Sequence, residues 1–373
     1  MILHFLTDDK FADYAIKQFS APEMHSDFIC LDTAGRMDLV ELRSQVRVMY
    51  PYSDAFVSFL KENLGKYDGI VLHGMCWGQW QKIILQLVPN NVKVAWYFWG
   101  GEIYSRKELT TTFMAPLTKL IYRLHDTYKH DYPNSDWELP FELYQRVDYC
   151  LTAEQEEYEY ARAYTRNSME YIWYTCYSIE ETIGKLIDQR VKGGNVLFCN
   201  SASIKNNMFD ATFRMVRRGY RKHLRNRKII MPLSYGDKWV KNLMVKIGPK
   251  CFDQFEPLLE LLPRDEYNAK MLDCSTMILT YRQPAGQGNV ITGLWLGMRV
   301  YLSEKSIAYR FFKRIGVKIF SFESDFETYG CTAMTDEEIN FNRKVLREMF
   351  SREQVMRSAK NVVSILEGKK NGK

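Results

Sequence analysis

Two ionisable side chains stand where an apolar run gives way to glycine. His73 follows Ile-Val-Leu and precedes Gly74, and Glu102 follows Trp99-Gly100-Gly101. An imidazole at a strand end can take a proton from a hydroxyl, worth about 10²–10⁴-fold in rate. Beside a glycine, His73 is expected outside the core. Glu102 could serve as the base, orient His73, bind a sugar hydroxyl, or only stabilise the first turn of a following helix. A third place reads differently. Residues 275–299 form an apolar, β-rich run (277–281), a turn holding Pro284, Gly286 and Gly288, and a helical spacing from Asn289 through Val290, Leu294 and Gly297. A helix start presents unpaired N–H groups and the positive end of a dipole, so it suits an anion. Arg282 stands at its mouth. An ordinary strand-to-helix turn has the same pattern, because Gly-x-Gly alone has little specificity.

Several chemistries lack their motifs. The chain has no Asp-x-Asp to hold a divalent metal on a diphosphate, no Gly-x-x-x-x-Gly-Lys-Ser/Thr loop, no Gly-x-Ser-x-Gly elbow, and no Gly-x-Gly-x-x-Gly after its first strand. What remains is an anion-binding helix start and a candidate base, without metal. That set suits displacement of a nucleoside diphosphate from a sugar, the helix dipole and basic groups taking up the leaving charge.

The elements that must position these groups alternate. In the first half, strands are predicted at 2–6, 28–32, 46–51, 69–73, 92–99, 147–152 and 171–175. Helices are predicted at 9–19, 53–64, 78–88 and from 153. In the second half, strands fall at 196–200, 228–233, 277–281, 299–303 and 317–322. Helices fall at 207–223, 237–246, 265–272, from 289, and at 307–315, and two long helices, 336–350 and 352–366, close the chain. Alternation of this kind implies parallel, doubly wound sheets. With 373 residues, two domains are expected: 1–177, a linker at 178–195, 196–335, and closing helices 336–373 that return to the first domain. Ligands bind at the carboxyl ends of such strands. There stand His73, Trp99 to Glu102, Asn200-Ser201, Pro232 to Tyr235, Tyr281 to Asn289, and Ser303-Glu304, a distribution that suits one cleft with chemistry on both walls.

The eight cysteines are scattered without a C-x-x-C pair, which fits reduced core thiols. The N-terminus lacks the pattern of a signal peptide, and no run reaches the roughly 18 apolar residues of a membrane span. Eight basic residues and no acidic one lie between Arg214 and Lys228; nucleic acid, anionic lipid, a phosphorylated ligand or plain solvent would each suit such a face. Leu109, Phe113, Leu117, Leu120, Ile121 and Leu124 make a helical stripe flanked by Lys119 and Arg123, with Tyr122, Tyr128 and Tyr132 beside it. A basic amphipathic helix can lie on an anionic membrane, or pack on its own sheet.

The motifs also carry a resemblance. His73-Gly74, Trp99-Gly100-Gly101-Glu102-Ile103-Tyr104, Arg146-Val147 before Thr152-Ala153, Asn200-Ser201 with Asn206, Pro232 with Tyr235, and Gly286-Gln287-Gly288-Asn289 followed by Gly297 occur in that order. Together they resemble the 4-alpha-L-fucosyltransferase family, the TDP-N-acetylfucosamine:lipid II N-acetylfucosaminyltransferases. The resemblance implies a GT-B fold with a nucleotide-sugar-binding second domain and an acceptor-binding first. It implies transfer of a 4-acetamido-4,6-dideoxyhexose from a dTDP-sugar to an undecaprenyl-diphosphate-linked glycan. The enzyme would be cytoplasmic, peripheral to the inner membrane, and need no cofactor. Glu102 replaces Asp; Ala202, Ser203 and Met208 fall where Gly, Asp and His are expected; residues 128–143 read as an insertion.

Glu102 or His73 is thus the expected base. Asn200, Ser201, Asn206, Tyr235, Tyr281, Arg282, Gly286, Gly288, Asn289 and Glu304 are the expected donor-binding residues. Trp99, Tyr104, Phe113, Lys119 and Arg123 are expected toward acceptor and membrane. The rivals are a GT-B enzyme using a UDP- or GDP-sugar, and a non-catalytic nucleic-acid-binding protein working through 214–228, which lacks the interleaved aromatics that stack bases.

Overall fold

A computed structural model describes residues 1–9, 11–32, 37–75, 79–125 and 138–369. By packing, the chain forms two compact units. The first holds Met1–Lys107, Asn134–Ser178 and Phe350–Lys373; the second holds Glu108–Pro133 and Ile179–Met349.

The first unit is built on seven parallel strands: β1 (Ile2–Thr7), β2 (Ser26–Leu31), β3 (Arg47–Met49), β4 (Gly69–His73), β5 (Lys93–Tyr97), β6 (Tyr149–Thr152) and β7 (Glu170–Trp173). Their order is β3-β2-β1-β4-β5-β6-β7, with Ile2 level with both Ser26 and Gly69. Central strands covered on both faces must be apolar throughout, as Ile70-Val71-Leu72 is. The core gathers Ile2, Leu6, Val71, Ala95, Leu151 and Ile172 with Ala359, Val362, Val363 and Leu366 of the last helix, Arg352–Leu366.

The second unit has six parallel strands: β8 (Asn195–Phe198), β9 (Lys228–Pro232), β10 (Gln254–Leu258), β11 (Cys274–Leu279), β12 (Arg299–Leu302) and β13 (Phe320–Ser321), in the order β10-β9-β8-β11-β12-β13. Edge strand β10 reads Gln-Phe-Glu-Pro-Leu and carries none of the apolar continuity that marks the others. Both orders reverse direction once, between β1 and β4 and between β8 and β11. Helices leave opposite faces of the sheet there, so a crevice opens at the strand ends.

Three expectations change here. The helix expected over 207–223 is two, Met208–Met215 and Arg218–Leu224, separated at Val216-Arg217. The two closing helices divide, Asp336–Phe350 lying almost wholly in the second unit and Arg352–Leu366 in the first. The amphipathic segment, expected in the first domain, belongs to the second unit. Its helix covers only Pro116–Leu124, and Met114 and Tyr122 enter the second core with Leu117 and Ile121 packed against it. Leu120 and Leu124 are left exposed. Tyr128 and Tyr132, with most of the insertion, lie outside the described residues.

Asp210 explains why the segment is held. Pro116–Leu124 has no side-chain cap of its own, and the two Asp210 oxygens accept the N–H groups of Leu117 (3.0 Å) and Thr118 (2.7 Å). That is capping supplied from a neighbouring helix. Asp210→Ala is expected to cost about 1–2 kcal/mol, as lost caps do, seen as a fall in Tm of about 2–4 °C per kcal/mol. An unchanged Tm would show the segment held by its apolar contacts alone.

Candidate active site

On the first unit, the strand ends turn their chemistry inward. His73 is 3% exposed, contrary to the expectation that its glycine neighbour would keep it out of the core. Its Nε2 lies 3.0 Å from Nδ1 of His4, a residue 69 positions away, so one nitrogen of the pair carries the shared proton. Phe19 and Phe28 pack against His4 at 4.4 and 5.0 Å between ring centroids. Burial pushes His73 down to about 3, and burial followed by the neighbouring His73 pushes His4 well below the usual range. Both are neutral at ordinary pH.

Glu102 is equally sealed, 1% exposed. Its Oε1 accepts from the Met75 N–H (3.0 Å), the Trp96 indole N–H (3.2 Å) and the Trp99 N–H (3.3 Å). Its Oε2 has no partner among the described residues. Burial raises its pKa, and burial followed by repulsion from Glu102 pushes Glu157 up to about 8 although the Thr152 hydroxyl donates to Glu157. A carboxylate so enclosed ties the ends of β4 and β5 together. Tyr104, expected toward the acceptor, is 1% exposed and packs on Phe98 and Tyr160. Trp99 is half-buried.

The second unit differs. Its direction-reversal point is flanked by polar loops, 199–207 after β8 and 280–289 after β11. Asn200, Ser201 and Asn206 are 8%, 6% and 3% exposed. The Asn206 amide donates to the Ser201 carbonyl (2.8 Å) and hydroxyl (3.0 Å), and its own carbonyl accepts from the Thr280 hydroxyl (2.8 Å). Asn207, which the sequence reading passed over, holds a left-handed backbone (φ 54°) and joins the segments: its carbonyl oxygen accepts from Ala115 N–H (2.6 Å), and its amide donates to the carbonyls of Phe113 (3.0 Å) and Thr280 (3.2 Å). Lys205, also passed over, is a half-buried cation here. Burial pulls its pKa down against the pull of Asp237, whose carboxylate accepts the Ile204 N–H at 2.7 Å.

The helix of the Gly-x-Gly turn runs over Gln287–Leu296 and has no side-chain cap. Gly286, at φ 62°, sits at its N-cap, and a Cβ there would lie 2.4 Å from the Asn200 amide nitrogen. Gly288 differs, since a Cβ would meet only Thr182 Cγ2 at 3.6 Å, an ordinary contact. The motif therefore requires glycine at its first position and not at its second. Asn289 is half-buried in the first turn. Arg282 donates to the Met114 carbonyl at 3.2 Å. Tyr281, expected in the donor site, is 1% exposed and belongs to the core; Tyr235 is 58% exposed. Glu304 is exposed at the end of β12, its carboxylate accepting from the hydroxyls of Ser321 (3.2 Å) and Ser324 (2.8 Å).

Much of the basic run is spent internally. Arg214 donates to Tyr220 and the Glu323 carbonyl, Arg221 pairs with Asp253, Arg227 donates to the Gly194 carbonyl, and Lys228 pairs with Glu256. No group of three or more His, Cys, Asp or Glu side chains suited to a metal occurs among the described residues, and no described helix is long and apolar enough to cross a membrane.

No family model matches the sequence, and a search of curated proteins gives no match. Solved structures do match in fold. The apo lipopolysaccharide outer core galactosyltransferase WaaB superposes with a TM-score of 0.62 at 11% identity, over 97% of this chain and 99% of that one. A glycosyltransferase from Rickettsia africae gives 0.59 at 12%, over 100% and 99%. Anabaena HepE in complex with UDP-glucose gives 0.52 at 13%, over 99% and 95%. The chain has the GT-B fold, two Rossmann-like units built on parallel sheets.

The buried histidine pair sets a pH dependence. In the unfolded chain both imidazoles titrate near 6.5. Below that pH the unfolded state binds protons that the folded state excludes, so stability present above 6.5 is lost as pH falls. The expected slope reaches about 1.4 kcal/mol per pH unit per histidine, read as a falling Tm between pH 6.5 and 4. A variant with Gln at both positions should lose that part of the slope; an equal slope in it would assign the effect to other groups.

Proposed function

We propose that the chain is a glycosyltransferase whose second unit binds a nucleotide sugar. One observation carries the reading. Where β8 and β11 part, Asn200, Gly286 and Asn289 meet at an uncapped helix start, and Ser201 and Asn206 bond to each other on the loop that carries Asn200. The first-turn N–H groups and the helix dipole suit the diphosphate. The polar side chains of 200–206 and the ring of Tyr235 suit the sugar and nucleoside, and Glu304 suits ribose or sugar hydroxyls. During transfer the diphosphate gains charge, and groups already fixed around it stabilise that charge without rearranging.

The finer reading is a dTDP-linked 4-acetamido-4,6-dideoxyhexose as donor and a polyprenyl-diphosphate-linked glycan as acceptor, with the enzyme peripheral to the inner membrane. The ordered motifs from His73-Gly74 to Gly297 support the donor class. Exposed Leu120, Leu124 and Phe213 support membrane contact, with Lys119 and Arg123 on the same helix as the two leucines and Phe113 just before it. UDP is the second donor nucleotide, favoured by the fold shared with a protein solved with UDP-glucose. The nucleic-acid reading loses support because Arg214, Arg221, Arg227 and Lys228 are engaged within the unit.

Calorimetry with dTDP, UDP and GDP tests this. One of the three is expected to bind. Gly286→Ala should weaken it at least tenfold, about 1.4 kcal/mol, because the new methyl group drives into Asn200; Gly288→Ala should leave it nearly unchanged. Binding of none of the three would contradict the function. Equal effects of the two alanines would contradict the placement of the diphosphate.

A further inference from the structure

A cluster of cations lies away from the donor loops, on the helix Asp336–Phe350 of the second unit. Asn340, Arg343, Lys344, Arg347 and Glu348 follow the spacing of a single helix face. They line a hollow of about 500 Å³, the size of a small-molecule pocket.

The face is anchored on Trp295, a buried residue near the end of the helix Gln287–Leu296. The Arg343 and Arg347 guanidiniums lie 5.2 and 5.3 Å from the centroid of that one indole. Arg343 has a structural task. Its Nε donates to the Trp295 carbonyl (2.8 Å) and its Nη2 to the Gln189 carbonyl (2.6 Å), which serves a helix end that leaves carbonyls open. Arg190 is also spent, donating to Asp336 and to the Asn340 side chain (3.1 Å).

Arg347 and Lys344 have no such task. Both are exposed, and among the described residues neither makes an ion pair or a hydrogen bond. Glu348, the carboxylate on this face, pairs with neither. One carboxylate does not balance three cations. Burial, then repulsion from Arg190 and Arg347, pushes the Arg343 pKa down against a weaker pull from Asp188. A merely solvated face would leave Arg347 free to spread into water, whereas the indole holds its guanidinium beside that of Arg343. A guanidinium held in place presents paired N–H groups that match two oxygens of a phosphate, and a lysine ammonium adds a compact charge.

We propose that Arg343, Lys344 and Arg347 form a binding site for a phosphate group. Arg343 offers its Nη1, Arg347 its whole fork and Lys344 its ammonium. The site stands at the other end of the helix from Gly286, roughly 13 Å along it by helical rise, so its phosphate is not the donor's diphosphate. It does not depend on the glycosyltransferase reading. A free phosphorylated compound and a phospholipid headgroup share this chemistry.

Two probes separate those sources. Calorimetry with inorganic pyrophosphate reads the free form. Sedimentation with phosphatidylcholine vesicles, with and without phosphatidic acid, reads the lipid form. Pyrophosphate could also occupy the helix start at Gly286, so each variant is compared with and without Gly286→Ala. At least one probe is expected to bind, and the one that binds identifies the source. Arg347→Gln and Lys344→Gln, both at exposed positions, are each expected to weaken that binding at least tenfold while Tm and nucleotide affinity are kept. Arg347→Lys, which keeps the charge and loses the fork, is expected to weaken it as well. Gly286→Ala is expected to leave the Arg347-dependent binding in place. Binding of neither probe, or binding that is unchanged in Arg347→Gln, would overturn the site. Full binding in Arg347→Lys would overturn it too, by reducing it to diffuse attraction.

Discussion

The carboxamide of Asn207 is the contact on which the second unit's polar edge depends. One side chain accepts the Ala115 N–H and donates to the carbonyls of Phe113 and Thr280. It thereby joins the loop after β8, the end of β11 and the segment leading into Pro116–Leu124. Its backbone is left-handed, which asparagine tolerates better than most residues. The residue is 1% exposed, so removing the amide would strand several buried backbone groups, each costing about 1–3 kcal/mol. Asn206 adjoins the pinned residue, and its amide in turn holds the Ser201 carbonyl and hydroxyl.

The two sheets solve the same topological problem with opposite chemistry. At the first unit's strand ends, polar groups are consumed in closing the structure: His73 on His4, and Glu102 on Met75, Trp96 and Trp99. A carboxylate that accepts three N–H groups in a dry site is an anchor, and its orphaned oxygen and raised pKa describe an enclosed group instead of a working base. At the second unit's strand ends, short asparagine and serine side chains bind one another and the backbone while the helix start at Gly286 stays uncapped. Such an edge is pre-organised for an anion without being filled by the protein itself.

The alternation of strands and helices was legible because central parallel strands must be apolar along their whole length. Edge strand β10 was not, since one polar side, a glutamate and a proline remove that mark. The donor loops were legible as small polar residues after apolar runs, but the unequal demands on Gly286 and Gly288 were not. The first faces Asn200, 86 positions away in sequence, and the second meets only Thr182 at an ordinary contact distance. The burial of His73 depended likewise on a partner at position 4. The placement of 108–125 depended on Asn207 and Asp210, whose bonds span more than 90 residues. Local pattern identified which residues could act. Long-range bonding decided which of them are committed to structure.

The most direct test of the central claim is backbone hydrogen exchange with and without dTDP, UDP and GDP. The account predicts that the nucleotide that binds slows exchange in 199–207, the loop after β8, and in 286–290, the start of the helix Gln287–Leu296. Protection confined to the first unit, or protection by a nucleotide that leaves both segments unchanged, would contradict it.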